Sequence, residues 1–162
     1  MTKRITALLI AVAVPMALLF TGCGKQLTER EYYDDLYAYF NEYVEALNEI
    51  ETVRANVTSS QEIMLEQTKA SEICEKAEKA LDKFEKMNPP DGFAEKHKTL
   101  LAAVELEKKF VSASEKVLTA KTPFELDKFS GEAAMIFAGV PEDRQFAPVL
   151  AGLLSDLRAA EN

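Results

Sequence analysis

The chain has one histidine, His97, and two cysteines, Cys23 and Cys74, in 162 residues. Histidine is the commonest general base and metal ligand near neutral pH, and zinc sites draw on several His or Cys side chains. So few of either leaves no zinc set. Position 94 is Ala94, so the Glu-x-x-His pairing of di-iron bundles is missing too. No Gly-x-x-x-x-Gly-Lys phosphate loop, Gly-x-Ser-x-Gly elbow or Gly-x-Gly-x-x-Gly turn occurs. The acidic pairs Asp34-Asp35 and Glu142-Asp143 lack calcium-loop spacing and read as solvated faces. Alternating strand patterns, Gly-rich linkers, low-complexity runs and internal repeats are absent as well. The expectation is a protein that is not an enzyme and holds no cofactor or metal.

What is present begins at the amino terminus. Lys3 and Arg4 precede an apolar run from Ile5 to Phe20 that contains Pro15. Its 16 residues fall short of the ~20 that span a bilayer. A basic start followed by a short apolar stretch is the pattern of a secretion signal. The run closes in Phe20-Thr21-Gly22-Cys23, which resembles the lipobox of bacterial lipoproteins: an apolar residue, two small residues and a cysteine. Phe20 departs from the more usual leucine, while Gly22 offers a peptidase no side chain to avoid. The resemblance implies a diacylglyceryl group on the Cys23 thiol and cleavage before it. It also implies an exported domain lipid-anchored to the cell membrane or the outer membrane, since two or more acyl chains hold firmly where one is marginal.

The expected organisation is therefore a signal peptide over 1–22, a lipidated tether over 23–27 and one helical domain over 28–162. Removing 22 residues from 162 leaves 140, enough for a single core. Losing Lys3 and Arg4 takes the net charge from −8 to −10. That acidity disfavours nucleic acid and anionic headgroups. With Cys23 acylated, Cys74 has no disulfide partner, so packing alone must hold the fold.

Helical signals fill the domain. Thr28-Glu29-Arg30-Glu31 has capping-box spacing, and Tyr32, Leu36, Phe40, Tyr43, Leu47 and Ile50 recur every three or four residues to about Ala55. After the poor helix formers at 56–59, Ser59 and Glu62 repeat the box. A second helix runs to about Met87, with Cys74, Ala77, Leu81 and Phe84 on one face. Asn88-Pro89-Pro90-Asp91-Gly92 is the strongest break. The third helix, about Asp91 to Ala120, has one stripe through Phe93, His97, Leu100, Val104 and Val111. A second stripe runs through Leu106, Phe110, Ala113 and Val117, which predicts deeper burial than its neighbours have. Thr122-Pro123 starts a fourth helix that ends near Ala138, and a fifth segment carries Val149, Leu150, Leu153 and Leu157. The fold class is all-α. It reads as an antiparallel helical bundle of three long helices with a broken fourth, or as three helices with a small hairpin lying across them. The pattern Pro89-Pro90, Phe93, His97, Leu100-Leu101 resembles one in small uncharacterised exported helical lipoproteins and implies no activity.

Three features are candidates for function. His97 lies on an apolar stripe, where a packing role competes with a chemical one. Cys74 also lies on a core face. With the second and third helices folded about residues 89–90, His97 is level with Asp82, and Cys74 stands about eight residues or ~12 Å beyond, too far for a thiol–imidazole pair. All five tyrosines, Tyr32, Tyr33, Tyr37, Tyr39 and Tyr43, fall in the first helix. They suit a surface that is half buried and half wet. Level-matching of the helices collects Tyr32, Tyr33, Leu36, Phe84, Phe93, His97 and Phe146 at one end, beside the tether. That end is the expected contact site, either a hydrophobic plug or a pocket. The leading expectation is a membrane-anchored, extracytoplasmic binding module with a protein partner in the envelope. The alternative is a small-ligand carrier or sensor that uses the His97 end.

Overall fold

The computed structural model describes residues 25–56 and 60–160, with side chains from 54 to 68 excepted. The expected signal peptide and lipobox, Cys23 and the second expected capping box lie outside those residues. Five helices carry the fold: α1 (Glu29–Asn56), α2 (Ser60–Glu85), α3 (Ala94–Leu118), α4 (Pro123–Met135) and α5 (Phe146–Ala160). A 3-10 turn, Glu142–Arg144, precedes α5. No strand occurs among the described residues.

Local chemistry sets the helix starts. At α1 the Glu31 amide donates to the Thr28 hydroxyl at 3.2 Å, and the Thr28 amide donates to the Glu31 carboxylate at 2.9 Å. This reciprocal pairing satisfies amides that a helix start otherwise leaves bare. At α4 the Thr122 hydroxyl accepts from the Glu125 amide at 3.1 Å, with Pro123 in the first turn. α3 starts at Ala94, later than the sequence suggests, because Pro89 and Pro90 cannot extend a helix and Gly92 takes φ +86°. α4 ends at Met135, ahead of Gly139 at φ +77° and Pro141.

Cross-helix pairs fix directions. Lys83 of α2 meets Glu42 of α1, and Lys76 meets Glu49 at 3.0 Å, so the partner recedes on α2 as α1 advances and the two helices run oppositely. Tyr32 meets His97 and Tyr43 meets Glu107, so α1 and α3 run the same way. α5 lies against both. Phe146 packs on Phe40 and Tyr43 of α1, and Asp156 pairs with Lys96 of α3 at 2.7 Å.

The core takes Tyr32, Leu36, Tyr43, Ala46, Ile50 and Val53 from α1, and Ile73, Cys74, Ala77, Leu81 and Phe84 from α2. α3 adds Leu100, Val104 and Val111, and α5 adds Leu150, Leu153 and Leu157. Each buried Leu, Ile, Val or Phe among them gains about 1.5–3 kcal/mol on leaving water. The second stripe of α3 lies under α4, where Phe110 meets Phe137 at 5.5 Å between ring centroids. α4 itself has no buried residue. Its principal packing partner is α3.

Candidate functional site

The described chain begins pinned to the α2–α3 connection. The Gln26 side chain donates to the Asp91 carboxylate at 2.9 Å, and the Leu27 amide donates to the Asn88 carbonyl at 3.2 Å. Leu27 also packs on the core. In sequence, only Gly24 and Lys25 separate Cys23 from these attachments.

One turn inside that end, the Tyr32 hydroxyl lies 2.7 Å from Nδ1 of His97. The residues come from the first turns of α1 and α3, and their rings meet edge to face at 5.7 Å. Tyr32 is fully buried and His97 is 6% exposed. Burial pushes the phenol above its usual range and the imidazole below its own, so both groups are held neutral. Two neutral groups at this distance share one hydrogen bond between the hydroxyl and Nδ1, its direction set by which imidazole nitrogen carries the proton.

The other expected members of this end divide. Leu36 is buried, and Phe93 sits one turn before His97 with Lys96 over its ring at 5.5 Å. Tyr33 lies under the Arg158 guanidinium at 5.3 Å and accepts a hydrogen bond from it. Phe84 and Phe146 form a separate group with Tyr39, Phe40 and Tyr43. The structure thus places Phe146 away from His97, and Asp156 is the α5 residue that reaches Lys96 in the first turn of α3. The turns between α4 and α5 advance the chain less than continuous helix would, which holds Phe146 back toward mid-bundle.

Asp82 is likewise not level with His97 but pairs with Lys108, further along α3. Cys74, deeper into α2, lies nearer Glu115 than His97; burial first, then Glu115 and Glu78, push its thiol up to about 12. A thiol so protonated is a poor nucleophile.

Two features escaped the sequence reading. Tyr43 donates to Glu107 at 2.5 Å, a carboxylate whose burial holds it above the usual range against the lowering effect of that bond. Glu107 falls on the stripe between Val104 and Val111, and an acid on an apolar stripe was the available signal. The second feature is at the opposite end. A recess of about 240 Å³ opens between α1, α3 and α4, lined by Ile50, Phe110, Val117, Ala133 and Phe137 with Ser114 and Ser130. On the outer side of α4, Phe124 is 77% and Met135 69% exposed.

Among the described residues no three His, Cys, Asp or Glu side chains are grouped to hold a metal ion. No helix among them is long and apolar enough to cross a membrane. Comparison with known protein families, curated proteins and solved structures finds no match.

Proposed function

We propose that this chain is an exported lipoprotein, cut before Cys23 and held on a membrane by lipid there, whose extracytoplasmic domain acts by binding a protein partner in the envelope and carries out no catalysis. The amino-terminal charge, the short apolar run and the lipobox support the anchoring. The observation that carries the binding role is α4, a helix with no buried residue that presents Phe124 and Met135 to solvent. Large exposed apolar side chains gathered on one element mark interaction surfaces. On this reading the contact surface is α4, and the tyrosine-rich end chiefly fills its own interior. The architecture is read as an antiparallel bundle of α1, α2 and α3 whose fourth position is shared by α4 and α5.

Crosslinking on intact cells tests the role. Recovery of a crosslinked complex through α4 is the expected result; monomer alone under several crosslinking chemistries counts against it.

The recess favours a second reading, a small-ligand carrier, with the ligand beside Phe110 and Phe137 in place of the His97 end. Its size suits a short apolar group. Native mass spectrometry of protein purified from its own membranes would show a bound mass that Ala133→Phe removes; unliganded protein in both forms would sink this reading.

A further inference from the structure

The protein-binding reading leaves the partner open, and any partner assigned to α4 rests on that reading. Phe124, Lys128, Gly131 and Met135 are spaced four, three and four residues apart in α4, so they share one side of the helix. Phe129, Ala133 and Phe137, on the other side, are half-buried, and Ala133 and Phe137 border the recess beside Phe110 of α3. Phe124 and Met135 are the two most exposed large apolar side chains among the described residues. Around Gly131 the space is open: a Cβ there would meet no atom within 4 Å.

We propose that this face pairs with the same face of a second copy of the chain, the two α4 helices running antiparallel about a two-fold axis near residues 129–130. In that register Phe124 of each copy lies over Met135 of the other, an aromatic ring against a thioether, at both ends of the contact. Gly131 sits opposite Lys128 and lets the backbones approach. A two-fold axis crossing antiparallel helices brings like flanks together, so Lys128 of each copy meets Glu132 of the other in two reciprocal ion pairs.

Parallel pairing would set Phe124 against Phe124 and Met135 against Met135 and turn the Lys128 flank of one copy to the Asp127 flank of the other, so the two ring–thioether contacts and the reciprocal Lys128–Glu132 pairs belong to the antiparallel arrangement alone. Little is given up, because within one chain Lys128 and Glu132 stand 3.9 Å apart and are both exposed. On the opposite flank Asp127 of each copy remains in water, where like charge costs little. The tether ends of the two copies point apart, so a pair on one membrane lies with α4 along its surface. A helix of 13 residues is ~20 Å long, and covers less than the ~800 Å² per partner of a standard interface. The pairing is therefore weak in solution and gains from confinement on a membrane.

The test places a photoreactive phenylalanine analogue at position 124 of the full chain and irradiates intact cells. The expected product has twice the chain's mass, contains this chain alone, and maps to the segment around Met135. Lys128→Glu or Glu132→Lys alone lowers its yield about fivefold, and the two together restore it; circular dichroism confirms that each variant is folded. A crosslink to a different protein overturns pairing with a second copy and leaves the protein-binding reading standing. No crosslink from position 124 or from position 135 overturns both. A dimer indifferent to the single charge reversals overturns the antiparallel register.

Discussion

The hydroxyl of Tyr32 and Nδ1 of His97, 2.7 Å apart, tie α1 to α3 inside the apolar end where the described chain begins. Neither group has water to fall back on, so each depends on the other. Removing one partner leaves the other buried without its hydrogen bond, which costs about 1–3 kcal/mol.

Tyr32→Phe, which keeps the ring, should lower the urea midpoint by an amount in that range, and His97→Phe should do so as well. The double variant should cost clearly less than the sum of the two, because the second change removes an already orphaned group. Strict additivity would mean that the bond contributes nothing.

The pH dependence of stability should carry two opposing signatures. His97 has a folded value below the ordinary ~6.5, so the unfolded chain takes up the proton first. Its contribution is full above ~6.5 and is lost as the pH falls toward the folded value. Glu107 is the reverse case. Its folded value lies above the usual 4.5, so the folded chain takes up the proton first and stability rises as the pH falls through that value. Glu31 and Asp82, held low by their partners, pull downward at still lower pH. Variants separate these effects: His97→Gln should flatten the decline just below ~6.5, and Glu107→Gln should abolish the acid-side gain while keeping an acceptor for Tyr43. Denaturant titrations between pH 4 and 8 read both, and unchanged slopes in the variants would assign them to other groups.

Aromatic residues should divide sharply by position. Phe84 is fully buried and meets Tyr39 and Phe146. Phe84→Ala should cost about 3–5 kcal/mol. Phe124→Ala, at 77% exposure, should change the stability of the monomer by less than about 0.5 kcal/mol. A comparable loss at both sites, followed by thermal or urea unfolding, would mean that α4 is integral to the core.

Cys74 should resist a thiol reagent in the folded protein, being buried with its thiol pushed up to about 12. Modification should track global unfolding, accelerating with denaturant in parallel with the loss of helical signal. Rapid native labelling would contradict that burial.

Much of this organisation is legible in the sequence because it is local. The Thr28–Glu31 and Thr122–Glu125 caps, the break at Pro89-Pro90 and the stripe through Tyr32, Leu36 and Tyr43 each depend on residues a few positions apart. Tyr32 and His97 are also expected at one end, since both lie near helix starts on apolar faces. What depends on the length of a connection is harder to read. Asp82 meets Lys108, and Phe146 sits beside Tyr43, because turns and prolines do not advance the chain at helical rise. α4 is the clearest case: its cap announces a helix, but Phe124, Leu126, Phe129 and Met135 scatter around it, so no single face declares what it packs on. That scatter is itself a sign of a helix with apolar surface left over.

The proposed anchoring of the domain at Cys23 is tested most directly by growing cells on an alkyne-bearing palmitate analogue and measuring label and intact mass on the full chain and on its Cys23→Ser variant. The expected product is a labelled, membrane-bound protein that has lost residues 1–22 and carries acyl mass on Cys23, with the variant unlabelled and uncut. An unlabelled chain that retains its first 22 residues, alike in both forms, would contradict it.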